Sequence, residues 1–117
     1  MDPANIKPEI TIDDVSKLDV RAGTIIAVDE VAGSRKLMKL TVDFGDHCRS
    51  ILADIRQERE NPSEIKGLQA LFILNLAPRK MAGELSEGML FDIGYEDGIL
   101  PVLAVTEKPV PNGTRAG

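Results

Sequence analysis

A chain of 117 residues with 43% apolar side chains is long enough for one domain with a modest core and too apolar for a disordered segment. Its formal net charge of −5 argues against broad electrostatic capture of a polyanion, so any basic surface must be local. The single cysteine, Cys48, excludes an internal disulfide, and no apolar run approaches the ~20 residues that a spanning helix needs.

Residues 1–10, with Pro3 and Pro8, read as a flexible lead-in without the basic and apolar regions of a signal peptide. A cytoplasmic location is therefore expected. Residues 11–117 read as one domain. Thr11 and Asp14 have the spacing of a capping box, which opens a short helical turn that brings Val15 and Leu18 together. Residues 19–31 form a long β-rich run. Gly23 inside it predicts a bulge or bend that lets one strand serve two parts of a curled sheet. Met38, Leu40, Val42 and Phe44 then alternate with Lys39, Thr41 and Asp43, the period of a half-buried strand. Gly45 and Asp46 turn the chain into a third run at 48–55. Asn61, Pro62 and Glu64 are a helix start that Gly67 soon stops. Residues 68–76 and 88–93 supply a fourth and a fifth strand. Pro101 limits the run at 99–105 to an edge or an irregular path, and the tail at 109–114 is extended and then turns.

Three strands, a short helix and two more strands, with a long bent first strand, is the order of the OB-fold. The expected fold is all-β with short helices: a five-stranded OB-fold Greek-key barrel with a C-terminal extension.

Catalytic chemistry is not visible. His47 and Cys48 fall short of the roughly four ligands of a zinc site, and neighbouring side chains on a strand point to opposite faces. A strand-end histidine and a buried thiol are expected instead. No glycine-rich phosphate loop occurs, and the carboxylates form no recognisable acid–base pair. Neither an enzyme nor a cofactor is expected. What remains is the connection between the fourth and fifth strands, at 75–91, which carries Pro78, Arg79, Lys80, Gly83 and Ser86. Taken alone, this stretch reads first as a solvated loop. Arg35, Lys36 and Lys39 form a second basic cluster with no acid between Val31 and Val42. Phe44, Phe72 and Phe91 share strand faces with aliphatic residues and are read as core, which leaves Tyr95 as the stacking candidate.

Four segments carry a resemblance. They are Asp-Val-Arg-Ala-Gly at 19–23, Lys-Leu-Thr-Val-Asp-Phe-Gly at 39–45, residues 75–90, and Pro-Val-Pro-Asn-Gly at 109–113. Together they resemble the tRNA-binding domain family, found on some methionyl-tRNA synthetases, in small tRNA-binding proteins and in CsaA-type export chaperones. The most specific part is Asn-Leu-x-Pro-Arg-Lys-x-x-Gly-x-x-Ser-x-Gly-Met, starting at Asn75. The resemblance implies an OB-fold, usually a homodimer, that binds the outer shape of tRNA without catalysis. It assigns Asn75, Arg79, Lys80, Ser86 and Met89 to the tRNA site, with Arg35 and Lys36 in a loop that is also basic in some relatives. Arg79 and Lys80 would neutralise phosphates, while Asn75 and Ser86 would bond ribose or base edges. Local roles stand beside these: backbone satisfaction for Asn75, turn capping for Ser86, core packing for Met89 and an ion pair for Arg21. One departure is Ala53-Asp54, where synthetase-type relatives carry a small Ser-Gly pair; an anionic Asp54 repels phosphate. Two further functions follow from the resemblance. One is a CsaA-like chaperone for export-bound unfolded polypeptides, and the other an accessory subunit of an aminoacyl-tRNA synthetase.

Overall fold

The computed structural model describes residues 3 to 117; residues 1 and 2, the start of the expected lead-in, lie outside the described residues. The capping box forms at the head of α1 (Ile12–Ser16). The Thr11 hydroxyl accepts from the Asp14 amide at 3.3 Å, and the Asp14 carboxylate accepts from the Thr11 amide at 3.2 Å. Three strands follow: β1 (Val20–Glu30), β2 (Leu37–Asp43) and β3 (Cys48–Asp54). The Asn61–Pro62 signal gives a 3-10 turn, Pro62–Ile65, in which the Asn61 side chain accepts from the Ser63 amide at 3.2 Å.

Beyond that turn the strands are short. They are β4 (Gln69–Ile73), β5 (Arg79–Met81), β6 (Glu84–Ser86), β7 (Met89–Leu90), β8 (Asp92–Ile93), β9 (Val102–Leu103) and β10 (Arg115–Ala116). The main sheet runs β3-β2-β1-β4-β7, with β10 on β1, and every pairing is antiparallel. This is the strand order expected of an OB-fold. The two ends of the sheet meet along a seam between β3 and the β6–β7 segment. The Glu87 amide donates to the Ser50 carbonyl at 2.8 Å, the Ser50 amide to the Glu87 carboxylate at 3.1 Å, and the Leu52 amide to the Ser86 hydroxyl at 3.0 Å.

β1 is the bent strand. Its first half pairs with β4 and its second with β2, and the register shift falls between Ile25 and Ala27, not at Gly23. Gly23 has a different function: a Cβ there would stand 2.6 Å from side-chain atoms of both Phe44 and Val42. The alternation in β2 is borne out, with Met38, Leu40, Val42 and the following Phe44 all buried. They pack with Ile25, Ile51, Ile65, Ala70, Phe72 and Leu90, and the Phe44 and Phe72 rings meet edge to face at 5.6 Å.

Two burial expectations are corrected. Cys48 is exposed, because β3 buries only Ile51 to Ala53 and its first residue stands beside the Gly45–Asp46 turn. Phe91 is 43% exposed. Its amide still bonds the Leu71 carbonyl at 3.0 Å, but the buried face belongs to the preceding Leu90. After Phe91 the chain leaves the main sheet, and β8 pairs with β9 in a separate ribbon that starts next to Pro101. The C-terminal extension is strapped across β1 and β4. Gln69 donates to the Val110 carbonyl (2.7 Å) and to the Asn112 side chain (2.9 Å), and accepts from Thr106 and the Val110 amide (both 3.0 Å).

Candidate functional site

The connection after β4 is not an open loop. Its centre folds into a hairpin, β5–β6, turned by Ala82 and Gly83, which both have positive φ, at 49° and 81°. Side chains alternate across this hairpin. Arg79 and Met81 face a cleft of about 940 Å³, whereas Lys80 lies on the other side with exposed Leu85, its ladder partner. The adjacent cations are therefore split between two faces. The loop before β2 behaves alike: Lys36 and Ser34 line the cleft and Arg35 does not. The structure thus brings together Lys36, Arg79 and Met89, and leaves Arg35 and Lys80 exposed outside the lining.

These cations are available to an anion. Among the described residues, the side chains of Arg35, Lys36, Arg79 and Lys80 have no carboxylate within ion-pair distance, whereas Lys7, Lys17, Arg21, Lys39, Arg56 and Arg59 each have one within 3.3 Å. Lys39 is held by Glu84 of β6 at 3.1 Å, which removes it from the basic cluster and ties the hairpin to β2. Arg21 makes two bonds to Asp19, at 2.8 and 3.1 Å, and this pairing holds the Asp19 carboxyl below its usual range.

Asn75 and Ser86 both use their side chains for hydrogen bonds within the protein, Asn75 at the surface and Ser86 in the interior. The Asn75 carboxamide accepts from the Asp19 amide at 2.8 Å and donates to the Lys17 carbonyl at 2.5 Å, fastening the segment after α1 to the end of β4. Ser86 is 3% exposed, and its hydroxyl accepts from the Leu52 amide and donates to the Gly88 carbonyl, both at 3.0 Å. Burial withholds the Ser86 hydroxyl from a ligand, while Asn75 stays exposed with its carboxamide bonded to backbone; both hold the frame of the segment that carries Arg79. Arg49 adds to this frame by donating to the Leu74 and Glu87 carbonyls at 2.9 and 3.0 Å and to His47 at 2.9 Å. His47 in turn contacts Asp46 at 2.6 Å.

The rest of the cleft lining is acidic and apolar. Asp54, Phe91, Asp92 and Tyr95 line it, and the two rings are 43% and 61% exposed. Burial raises the Asp92 carboxyl above its usual range, and Glu58 is raised first by burial and then by the charges of Asp54 and Asp92. The sequence signal for Phe91 was its place next to Leu90, since consecutive strand residues cannot both face the core. No group of histidine, cysteine and carboxylate side chains able to hold a metal occurs among the described residues.

Residues 20–115 match the family described as "Putative tRNA binding domain". The chain is 38% identical over 111 residues to a methionine–tRNA ligase of Xylella fastidiosa, an alignment that covers 94% of this chain and 16% of the ligase. Among solved structures it is similar to a MetRS-related protein from Pyrococcus horikoshii, at 32% identity and a TM-score of 0.87, covering 95% of this chain and 100% of the other. It is also similar to the chaperone CsaA of Bacillus anthracis, at 29% identity and a TM-score of 0.82, covering 94% and 100% of the two chains.

Proposed function

The chain belongs to the tRNA-binding domain family, and on that premise we propose that it is a non-catalytic, cytoplasmic tRNA-binding protein that reads RNA backbone and shape. The observation that carries this is the β5–β6 hairpin: a projection bearing two cations, Arg79 and Lys80, free of carboxylate partners among the described residues, in a chain of net charge −5. Arg79 and Lys80, aided by Arg35 and Lys36, contact phosphates from two faces of one rim, and Met89 supplies apolar contact beside them. Asn75 and Ser86 act as positioning residues. Titration of bulk tRNA over a salt series tests the reading. The Arg79→Ala/Lys80→Ala double variant should bind more weakly and lower the salt slope by about 1.4 to 1.8, the value for two lost phosphate contacts. Equal binding by wild type and variant, or no binding at low salt, refutes it.

A second reading, a chaperone for unfolded polypeptides, is favoured by the exposed apolar residues around the β8–β9 ribbon: Ile93, Ile99, Leu100, Val102 and Val105. Suppression of client aggregation that survives the Arg79/Lys80 double substitution would support it. The same ribbon is the surface proposed for a homodimer, and a monomer mass in light scattering at micromolar concentration removes that proposal. Action as an accessory subunit of a synthetase is the third reading. It is supported by the ligase relatives, of whose length the chain spans only 16%.

A further inference from the structure

We propose that the cleft between the β5–β6 hairpin and β8 receives one unpaired nucleobase bearing an amino group, whose edge Asp54 and Asp92 read as acceptors. This rests on the RNA-binding reading and specifies what the RNA must offer. At about 940 Å³ the cleft is near the upper end of the ~300–1,000 Å³ range of small-ligand clefts. Its walls combine three chemistries. Phe91 and Tyr95 are the aromatic residues on the lining, both substantially exposed, and supply the apolar ring surface on which a planar group can stack. Lys36 and Arg79, without carboxylate partners among the described residues, border the same space. Asp54 and Asp92 supply carboxylates, whose ionised form accepts hydrogen bonds and donates none, and Asp97 lies on the same lining.

The position of Asp54 makes the cleft selective. In the β2–β3 ladder it stands opposite Leu37, the residue after Lys36. On its other side, Ser86, the ladder partner of Arg79, bonds the amide of Leu52, two residues before Asp54. Asp54 thus stands on a strand whose neighbouring segments carry Lys36 and Arg79, and its charge opposes the entry of phosphate into the cleft. Phosphate is kept at the rim, where Lys36 and Arg79 meet the backbone flanking the inserted nucleotide, and the interior is left to a neutral base. Glu96, which also lines the cleft, is paired with Lys7 at 3.1 Å. Acceptor-only side chains favour bases that present amino donors (cytosine, adenine and guanine) over uracil, whose edge carries two carbonyl oxygens around a single N–H. Unpaired bases with exposed edges are the part of an RNA that proteins read by sequence.

Fluorescence anisotropy with labelled hexanucleotides of cytidine, adenosine and uridine, alongside bulk tRNA, tests this on the full chain. The cytidine hexamer should bind about tenfold more tightly than the uridine hexamer, the discrimination of one base-edge contact. In the Asp54→Asn/Asp92→Asn variant, whose amides both donate and accept, that ratio should fall to within about twofold while affinity for both rises as repulsion is removed. The Phe91→Ala/Tyr95→Ala variant should weaken all three hexamers about fivefold or more, the loss of one stacked base. Its salt slope for tRNA should be unchanged, with far-UV circular dichroism reporting the fold. Wild type binding uridine as tightly as cytidine, binding no hexamer, or keeping its preference in the asparagine variant overturns the inference. If tRNA binding that depends on Arg79 and Lys80 persists in any of those cases, the inference fails and the RNA reading stands; if tRNA binding is also lost, both fail. An unfolded polypeptide whose binding is abolished by Phe91→Ala/Tyr95→Ala, with no hexamer bound, gives the cleft to the chaperone reading.

Discussion

Replacing Ser86 by alanine separates a residue that touches RNA from one that closes the fold. The hydroxyl is buried at 3% exposure and links the amide of Leu52, itself 5% exposed, to the carbonyl of Gly88. Alanine keeps the packing and removes both bonds. A buried amide left without an acceptor costs about 1–3 kcal/mol, and the Gly88 carbonyl has some freedom to turn toward water, so a loss near 2 kcal/mol is expected. For a chain of this size one kcal/mol moves the midpoint by roughly 3–5 °C, so thermal unfolding should fall by about 6–10 °C. Urea unfolding gives the free energy directly, and amide exchange at Leu52 should accelerate more than at buried positions of β2 far from the seam. Well below the transition, tRNA affinity should stay within about twofold of wild type. A Ser86→Ala protein that keeps its stability to within about 0.5 kcal/mol yet loses tRNA affinity severalfold would show that the hydroxyl is a ligand, and the seam assignment would be wrong.

Asn75→Ala should cost about 1 kcal/mol by freeing the Lys17–Asp19 segment from β4, again with tRNA affinity within twofold; a severalfold loss of affinity at unchanged stability returns Asn75 to the RNA surface. Asp92 has its carboxyl raised by burial. Just above the usual carboxylate range the folded chain therefore holds a proton that the unfolded chain has released. Acidifying through that window should stabilise the fold, and raising the pH should remove the gain. Asp92→Asn should be the more stable protein at neutral pH, with its advantage in urea midpoint shrinking as the pH falls through the window; a constant difference refutes burial as the cause.

Much of the frame was legible because it rests on local rules. The period of two in Met38 to Phe44, the Thr11–Asp14 box and the Asn61–Pro62 start each specify their own geometry whatever surrounds them. The connection carrying Arg79 and Lys80 was also visible. Its folding into a hairpin was not, since three-residue strands carry too little alternation and Ala82, with φ of 49°, gives no turn signal of its own. Phe91 and Cys48 differ from expectation for separate reasons: Cys48 pairs with Asp43 at the turn end of the β2–β3 ladder, where β3 buries nothing. Alternation tells which residues share a face but not where a strand leaves one ladder for another, and Phe91 stands at such a departure. The neutralisation of Lys39 by Glu84 depends on a pairing 45 residues apart, which no local pattern encodes.

The bend in β1 has a consequence for how the chain reaches its fold. From Thr24 to Glu30 the strand pairs with residues 38–43, close in sequence, and β2 and β3 continue the same local meander. From Val20 to Thr24 its partners are residues 69–73 and 115–116, so Val20 must find Ile73 across nearly half the chain and Ala116 across most of it. The meander should therefore assemble early, while the first half of its leading strand waits as an open edge. Closing long loops is slow, and an unpaired edge is a template for another chain. Refolding at high concentration should lose yield to association at that edge, while dilute refolding proceeds on the millisecond-to-second scale of nonlocal β topology.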